Sequence, residues 1–414
     1  MNIVWLCNVP LPEMAQTIGI KSYSAGWLIG ISSELRKQNN VNLSIIFPQN
    51  RIKKLIEKSI NGITYYGVYK KNICEYDKEL NTQCIFKKII TKEKPDIIHI
   101  FGTEYPHSLE MLEVSSLNKV VISIQGLVSV ICKHYLQGIS YCDIMRPVIY
   151  EGRIQSLYTE LDGFKKLGHY EKKFLKKCKY VIGRTDWDYA CVKEINKNIN
   201  YFKCNETMRN LFYEKQWKYD EIDKFSIFVS QGSYSVKGLH YLLEAMPIIK
   251  NRFPRAHIYV AGDLEFRSNK YCSPYGEYIN RLIKKMNIED NITFVGYHTE
   301  KQMCKRYLKS HVSVMCSNIE NSPNSIGEAM LLGIPVVASY VGGIPNLLEH
   351  NKEGFLYQHN APYMLSHYIM KIFSDEELAK RLAENARNKA VKLYNRETNN
   401  NILMNIYKTI SNKY

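Results

Sequence analysis

Short apolar segments recur along the whole chain, and stretches whose apolar residues have helical spacing lie between several of them. Strands buried on both faces and joined by crossover helices are typical of parallel sheets. The pattern therefore predicts an α/β protein. In the first half the predicted strands lie in MNIVWLC, VNLSIIF, DIIHIFG, KVVISIQG and KYVIGRT. In the second half they lie in FSIFVSQG, HIYVAGD, ITFVGY, VSVMC and IPVVAS.

The length of 414 residues suggests two domains, each able to bury its own core. Periodic structure gives way to a polar, aromatic segment at residues 205–225, so we place the boundary near Lys218. We predict one domain over residues 1–218 and a second over residues 219–395. The final residues, 396–414, are predicted to form a separate C-terminal helix.

The stretch MCSNIENSPNSIGEAMLLGIPVVASYVGG, residues 315–343, combines a strand end, a helix start and the next strand. Asn321 and Ser322 are capping candidates, Pro323 suits the first turn, and Gly333 ends a helix that begins near Ser325. An open α/β sheet binds ligands at such strand-to-helix loops. The amides of the first turn would favour an anion, most often a phosphate.

Two glutamates, Glu320 and Glu328, lie in this stretch with seven residues between them. The spacing alone is weak, since Glu206 and Glu214 repeat it. Glu320 would lie on the loop, and Glu328, on the helix, could turn its carboxylate to a pair of sugar hydroxyls. The alternative is that both are ordinary solvated glutamates.

The segment ENSPNSIGEAMLLGIPVVASYVGGIPNLLEH resembles the donor-site signature of family 4 glycosyltransferases. This retaining family has the GT-B fold, in which two Rossmann-like domains face each other across a cleft and a C-terminal helix crosses back to the first domain. The resemblance implies that Glu320 contacts the transferred sugar and Glu328 the nucleotide ribose. It also implies that the amides of Asn324 and Ser325 hold the diphosphate.

Lys237 begins a helix after the segment FSIFVSQGSYSV, where an ammonium group can neutralise a diphosphate. Lys237 and the following glycine resemble the lysine-glycine pair of the family. The family usually adds an arginine before this pair, whereas this chain has Gly232 and Ser233. Diphosphate binding would thus rest on Lys237 and amides, or on a basic residue that the sequence does not reveal. By the same resemblance, Gly262 and Gly296 close strands near the nucleotide base.

The first half of the chain departs from the family at one position. SYSAGWLIGISSELRKQ resembles the glycine-rich first loop of the family, with Gly26 facing the donor, although Gly26 could merely permit tight packing. Family members often have a histidine after the strand that corresponds to KVVISIQG, and Gln125 occupies that place. A histidine-based role is therefore not expected.

The net charge of +16 is concentrated in residues 1–218. A basic surface attracts nucleic acid, anionic lipid or an anionic substrate, but a compositional bias with no partner would look the same. Residues 164–180, FKKLGHYEKKFLKKCKY, predict an amphipathic helix with a basic face, and hence a peripheral attachment to an anionic membrane. Surface helices without such a role often share this pattern.

Neither a membrane span nor a metal site is expected. No apolar run approaches the roughly 18 residues needed to cross a bilayer, and residues 1–7 lack signal-peptide features, so we expect a cytoplasmic protein. The 11 cysteines include no C-x-x-C pair, which favours reduced thiols. Asp186-Trp187-Asp188 matches a manganese-binding D-x-D motif of the other major glycosyltransferase fold, but we discount it because it follows a strand in the wrong half of the chain.

We therefore expect a retaining glycosyltransferase with Glu320 and Lys237 as catalytic residues and no metal or other cofactor. The donor would be a UDP- or GDP-linked sugar, and the acceptor a glycan or a lipid-linked glycan of bacterial surface polysaccharide assembly. A nucleotide-sugar epimerase or a glycan phosphorylase would share the fold, and activity without an acceptor would favour the epimerase. A basic nucleic-acid-binding protein is a rival from another class, but the chain lacks an interleaved aromatic and basic single-strand motif, so no nucleic-acid partner is expected.

Overall fold

The computed structural model describes residues 1–20, 26–262 and 272–412. The chain forms two compact units. The first unit comprises Met1–Val130, Phe164–Thr207 and Tyr394–Tyr414, and the second comprises Ile131–Gly163 and Met208–Leu393.

This division differs from the predicted boundary at Lys218. Residues 131–163 belong to the second unit because their polar groups bond there: His240 Nε2 lies 3.1 Å from the Gln137 carbonyl oxygen, and Arg281 pairs with Asp143 at 2.7 Å. The crossing at residue 208 comes earlier than predicted because Phe212 is fully buried in the second unit. Neither contact has a periodic signal in the sequence.

Both units contain a central sheet flanked by helices, as predicted for an α/β chain with two Rossmann-like domains. The strands are β1 Asn2–Leu6, β2 Asn42–Gln49, β3 Ile56–Ile60, β4 Ile63–Tyr69, β5 Ile97–Phe101, β6 Val120–Ser123, β7 Val148–Tyr150, β8 Arg153–Gln155, β9 Tyr180–Gly183, β10 Asn200–Lys203, β11 Ser226–Val229, β12 His257–Ala261, β13 Ile292–Gly296, β14 Val312–Met315, β15 Val336–Ser339 and β16 Phe355–Tyr357. The helices are α1 Pro12–Thr17, α2 Gly26–Arg36, α3 Asn81–Glu93, α4 Pro106–Glu113, α5 Val128–Ile131, α6 Tyr141–Ile144, α7 Leu157–Lys177, α8 Asp186–Ile195, α9 Asn210–Glu214, α10 Leu239–Arg252, α11 Pro274–Met286, α12 Glu300–Leu308, α13 Asn324–Leu332, α14 Ile344–Leu347, α15 Pro362–Ser374, α16 Glu376–Leu393 and α17 Arg396–Ser411.

The first unit has an eight-stranded sheet in the order β10-β9-β6-β5-β1-β2-β4-β3, parallel except for the terminal β3. Both faces are buried because successive side chains of a strand point to opposite sides. Trp5 packs with the residues of α2 and α17, whereas Val4 and Leu6 pack with those of α3, α4, α7 and α8. Continuous apolar strands are the consequence of this two-sided covering.

Helix α17, which the resemblance assigns to the first domain, is fixed to this sheet by a buried polar chain. Trp5 Nε1 donates to Tyr407 Oη at 3.2 Å, and the Tyr407 hydroxyl lies 2.6 Å from His99 Nδ1. His99 Nε2 in turn contacts Ser123 Oγ at 2.7 Å. Burial lowers the pKa of His99 to about 3, so a neutral imidazole relays these hydrogen bonds.

The second unit has a six-stranded parallel sheet in the order β13-β12-β11-β14-β15-β16. A separate antiparallel hairpin, β7 and β8, belongs to the same unit. In each large sheet the first strand lies between two strands that come later in the chain: β1 lies between β2 and β5, and β11 lies between β12 and β14. The strand order therefore reverses at β1 and at β11. Ligands of open α/β sheets bind at the carboxyl ends of the strands at such switch points.

Candidate active site

The carboxylate of Glu320 lies on the loop that follows β14 and forms an ion pair with Lys237. Lys237 Nζ donates to Glu320 Oε1 at 2.6 Å, and Ser317 Oγ donates to the same oxygen at 2.7 Å. The two charged side chains are only 13% and 12% exposed. Burial alone would lower the pKa of Lys237, but the charge of Glu320 outweighs it and holds that pKa above the ordinary value. Lys237 is therefore a cation near neutral pH.

A glycine brings Lys237 next to the loop of the neighbouring strand. Lys237 ends a short 3₁₀ turn after β11, and Gly238 then takes a φ of +64° as α10 begins. A Cβ atom at Gly238 would overlap the carbonyl oxygen of Cys316 at the end of β14. Only glycine allows this close approach, which joins the two loops at the switch point of the second sheet.

The backbone of Glu320 is held by a third loop, which follows β15. Gly343 N donates to the Glu320 carbonyl oxygen at 3.0 Å, and a Cβ at Gly342 would overlap that oxygen. Ser339 Oγ donates to the Ser317 carbonyl oxygen at 2.7 Å. Three neighbouring strand ends therefore fix the glutamate from three directions.

Helix α13 ends at Gly333 as predicted and begins at Asn324, one residue before the predicted start, but its predicted capping is wrong. Pro323 occupies the N-cap position, and no side chain caps the helix there. Asn321 and Ser322 are not the caps, because they lie in the preceding loop and Pro323, with φ −69° and ψ 120°, delays the first helical residue to Asn324. The amides of Asn324 and Ser325 are consequently in the first turn of α13.

Glu328 has a partner that the sequence analysis did not identify. Arg209 donates to Glu328 Oε1 through Nε at 3.0 Å and through Nη2 at 2.5 Å. Burial raises the pKa of Glu328, and the charge of Arg209 opposes that rise. Both Glu320 and Glu328 are largely buried and paired with a cation, so neither is the ordinary solvated glutamate of the alternative interpretation. Arg209 lies at the start of the main segment of the second unit, within the polar stretch 205–225, where no motif marks it.

The predicted glycine positions of the second unit lie along the same edge of its sheet. Gly232 and Ser233 are in the loop between β11 and Lys237, and a Cβ at Gly232 would crowd the side chain of Val260. Gly262 follows β12 and donates its amide to the carbonyl oxygen of Gly296, the last residue of β13, at 3.1 Å. Both have positive φ angles, of +114° and +72°.

Gly26 and Gln125 belong to the first unit. Gly26 is the first residue of α2, and the preceding part of the predicted loop, residues 21–25, lies outside the described residues. Gln125 Nε2 donates to Glu206 Oε1 at 2.8 Å, while Arg184 pairs with Glu206 Oε2 at 2.9 Å. Gln125 therefore donates a hydrogen bond to the buried carboxylate of Glu206, which the sequence did not indicate as a functional residue.

The D-x-D segment has a local structural role. Asp188 forms a capping box with Thr185 at the start of α8, and it accepts hydrogen bonds from the Arg184 amide at 2.9 Å and from the Tyr201 hydroxyl. Its carboxylate is completely buried. Among residues 1–20, 26–262 and 272–412, no group of three or more His, Cys, Asp or Glu is arranged to hold a metal.

The basic segment 164–180 lies largely within α7 and has the predicted two faces. Phe174 and Leu175 are buried, whereas the lysines at positions 165, 166, 172, 173, 176 and 177 are exposed. In the described part of the chain, no helix has the length and apolar character required to cross a membrane.

A family model matches part of the second unit. Residues 211–389 match the model described as "Glycosyl transferases group 1". This segment is similar to the group 1 glycosyl transferases. It contains Lys237, Glu320 and Glu328, so the Lys237–Glu320 ion pair lies within the match, whereas Arg209 precedes it by two residues.

Curated relatives match over a similar length. N-acetyl-alpha-D-glucosaminyl L-malate synthase of Bacillus anthracis is 26% identical over 187 residues, which are 45% of this chain and 45% of that protein. The putative colanic acid biosynthesis glycosyltransferase WcaL of Salmonella typhimurium is 26% identical over 181 residues, 42% of each chain. The match thus covers less than half the length of these relatives.

Solved structures extend the likeness of fold beyond the group 1 match. Sucrose-phosphate synthase from Thermosynechococcus elongatus aligns over 100% of this chain and 99% of its own, with a TM-score of 0.71 and 17% identity. HepE from Anabaena, solved in complex with UDP and glucose, aligns over 98% and 99%, with a TM-score of 0.67 and 16% identity. The predicted GT-B fold class is confirmed.

Proposed function

We propose that this protein is a retaining family 4 glycosyltransferase. It transfers a sugar from a UDP- or GDP-linked donor to a glycan or lipid-linked acceptor in surface polysaccharide assembly. The observation that carries the proposal is the buried Lys237–Glu320 ion pair at the sheet switch point in the segment that matches the group 1 model. The name of the colanic acid relative and the UDP in the HepE structure support the acceptor and donor classes.

The proposed roles follow from charge and position. Lys237, a buried cation, and the amides of the first turn of α13 stabilise the negative charge of the departing diphosphate. Glu320 accepts hydrogen bonds from hydroxyl groups of the transferred sugar. Both donors from Arg209 reach Glu328 Oε1, which leaves Oε2 to accept a ribose hydroxyl. Since Lys237 and the amides stabilise the charge of the diphosphate, this scheme uses no divalent ion.

Retention follows from the same groups. Glu320 contacts sugar hydroxyls in this scheme, so it does not attack the anomeric carbon as the nucleophile of a double displacement. Gln125 cannot serve as the base that inversion requires. The acceptor oxygen instead bonds to the anomeric carbon on the face from which the diphosphate leaves. The bond to the diphosphate oxygen breaks, and that oxygen takes the acceptor proton.

A thermal-shift screen tests the donor class. UDP, GDP and a panel of their sugar conjugates are added to the wild-type protein and to the Lys237→Met variant. A ligand that binds only the native state at 100 times its dissociation constant stabilises it by about 2.7 kcal/mol. We expect one nucleotide series to raise the melting temperature of the wild type and to have a much smaller effect on Lys237→Met. Equal shifts in both proteins, or no shift with any nucleotide, would contradict the proposal.

A further inference from the structure

The first unit has its own switch point, and a carboxylate that the sequence analysis did not select lies there. Strands β1 and β5 are neighbours in the sheet, and the loop after β5 carries Glu104. Asn8 follows β1 and donates through Nδ2 to Glu104 Oε2 at 3.4 Å. The backbone amide of Gly126, after β6, also donates to this carboxylate. Three neighbouring strand ends thus converge on one half-buried side chain.

The orientation of Asn8 is fixed by a neutral histidine. Burial lowers the pKa of His107 to about 3, and the nearby charge of Lys70 adds to this effect. His107 Nε2 lies 2.8 Å from Asn8 Oδ1, so the uncharged ring donates its proton to that oxygen. The amide group of Asn8 must then turn its Nδ2 donor toward Glu104.

The loops around Glu104 are held rigid by a second, fully buried carboxylate. Glu171 accepts hydrogen bonds from Thr103 Oγ1 at 2.6 Å, from the Val128 amide at 2.9 Å, and from the amide and hydroxyl of Ser129 at 2.8 and 2.5 Å. Gly102, with φ +93°, leaves room beside it: a Cβ there would overlap Glu104 Oε2. A site held by such contacts is preorganised for a ligand.

The electrostatics of Glu104 differ from those of the donor-site glutamates. Within the described residues Glu104 has no ion-pair partner, and Asn8 and the Gly126 amide donate hydrogen bonds to it. Burial raises the pKa of Glu104 to about 7, and the charge of Glu171 raises it further against the hydrogen bonds from the Glu104 and Gly126 amides and from Asn8. A carboxylate without a cation repels phosphate and carboxylate groups but accepts strongly from hydroxyl groups.

We propose that Glu104 and Asn8 form a hydroxyl-binding site for an uncharged saccharide, the acceptor end of the proposed transfer. This inference rests on the proposed function for the identity of its ligand as an acceptor. Glu104 accepts hydrogen bonds from the saccharide hydroxyls. The saccharide class is neutral, because the carboxylate of Glu104 repels anionic groups and no cation among the described residues pairs with it.

Saturation-transfer NMR on the full chain provides the test. The probes are methyl α-D-glucopyranoside and methyl α-D-galactopyranoside, with glucose 6-phosphate and glucuronate as the anionic comparison. UDP is present at saturation, so that the donor site is occupied. Titrations compare the wild type with Glu104→Ala, Glu104→Gln and the surface control Glu75→Gln. The melting-temperature shift caused by UDP is recorded for each protein.

We expect at least one neutral glycoside to bind the wild type and the Glu75→Gln control equally, and Glu104→Ala to bind it about tenfold more weakly. The affinity of the wild type should rise from pH 6 to pH 8 as the carboxylate ionises, whereas Glu104→Gln should lack this dependence. Burial raises the pKa of Glu171, the other carboxylate that faces the site, and lowers that of His107. Both groups are retained in Glu104→Gln, so a pH dependence that this variant lacks belongs to Glu104.

Three outcomes would overturn the inference: equal binding by the wild type and Glu104→Ala, anionic sugars binding as tightly as neutral ones, or no neutral glycoside binding the wild type. A retained UDP shift in each variant shows that the variant is folded. If neither UDP nor GDP shifts the melting temperature of any of these proteins, the nucleotide-sugar function is refuted instead, and the glycoside titrations still report on Glu104.

Discussion

Replacing Lys237 with methionine removes the charge of the buried ion pair and keeps most of the side-chain volume. At 2.6 Å, and with an effective dielectric constant of about 20, the attraction to Glu320 is roughly 6 kcal/mol. Most of that gain offsets the cost of removing both charges from water. Loss of one partner from a buried pair typically lowers the free energy of unfolding by about 3–5 kcal/mol. Because these side chains are still 12–13% exposed, we expect a loss near the lower end, about 3 kcal/mol, for Lys237→Met.

The catalytic effect has a separate origin. If Lys237 stabilises the departing diphosphate, Lys237→Met loses about 2–4 kcal/mol of transition-state stabilisation, or roughly 30- to 900-fold in kcat/KM. Adding Glu320→Gln removes the unpaired charge, so the double variant should recover part of the lost stability while activity stays low. This opposite response separates a catalytic role from a structural one.

The assay combines nucleotide release in the presence of donor and acceptor with unfolding in urea. Lys218→Met is the matched control, because Lys218 pairs with Glu221 at 3.0 Å but both side chains are more than half exposed. Surface pairs contribute about 0–1 kcal/mol, so this control should keep nearly wild-type stability and rates. Wild-type kcat/KM in Lys237→Met would refute the assignment, and a double variant that regained activity would show that the lysine acts only on stability.

Four other predictions concern the same chain. The first-formed product should keep the anomeric configuration of the donor, as read by proton NMR, and an inverted product would contradict the family assignment. Transfer should continue in excess chelator. Activity that is lost in chelator and restored by manganese would contradict the metal-independent scheme. The exposed lysines of α7 should bind acidic vesicles at low salt with about 1 kcal/mol per lysine near the surface, and co-sedimentation should fall steeply as salt rises; no binding at low salt would leave the charge without this role. The pKa of Glu104 is raised from 4.5 to about 7 in the folded state, so its stabilising contribution is complete below pH 4.5 and is lost as pH rises through 7. Glu104→Gln should therefore melt at a higher temperature than the wild type at pH 8 but not at pH 4. An equal difference in melting temperature at both pH values would exclude this linkage.

The alternation of apolar segments and helices was enough to predict most strands of the two large sheets, but not β3, β4, β10 or β16. A strand buried on both faces has a local signature, a short continuous apolar run, and such a run does not depend on distant residues. The end of α13 was also predictable, because Gly333 takes a φ of +73° that glycine adopts readily. The sequence missed the hairpin of β7 and β8, whose residues are largely exposed or half-buried.

The capping of α13 shows where prediction from local sequence failed. Asn321 and Ser322 are good capping residues by type, yet Pro323 follows them, and the helix begins one residue beyond it. Propensity describes what a residue prefers in isolation. The loop before α13 is instead set by contacts with its neighbours, such as the bond from Gly343 to the Glu320 carbonyl oxygen.

The sequence by itself determined the fold class and the positions of Lys237, Glu320 and Glu328, since each lies at or near a strand-to-helix junction. Only the tertiary structure decided their partners. Arg209 is 119 residues from Glu328, and Asn8 is 96 residues from Glu104. Parallel strands bring their carboxyl ends to one edge whatever their separation in the chain, so charge pairs form there between residues that no local pattern connects.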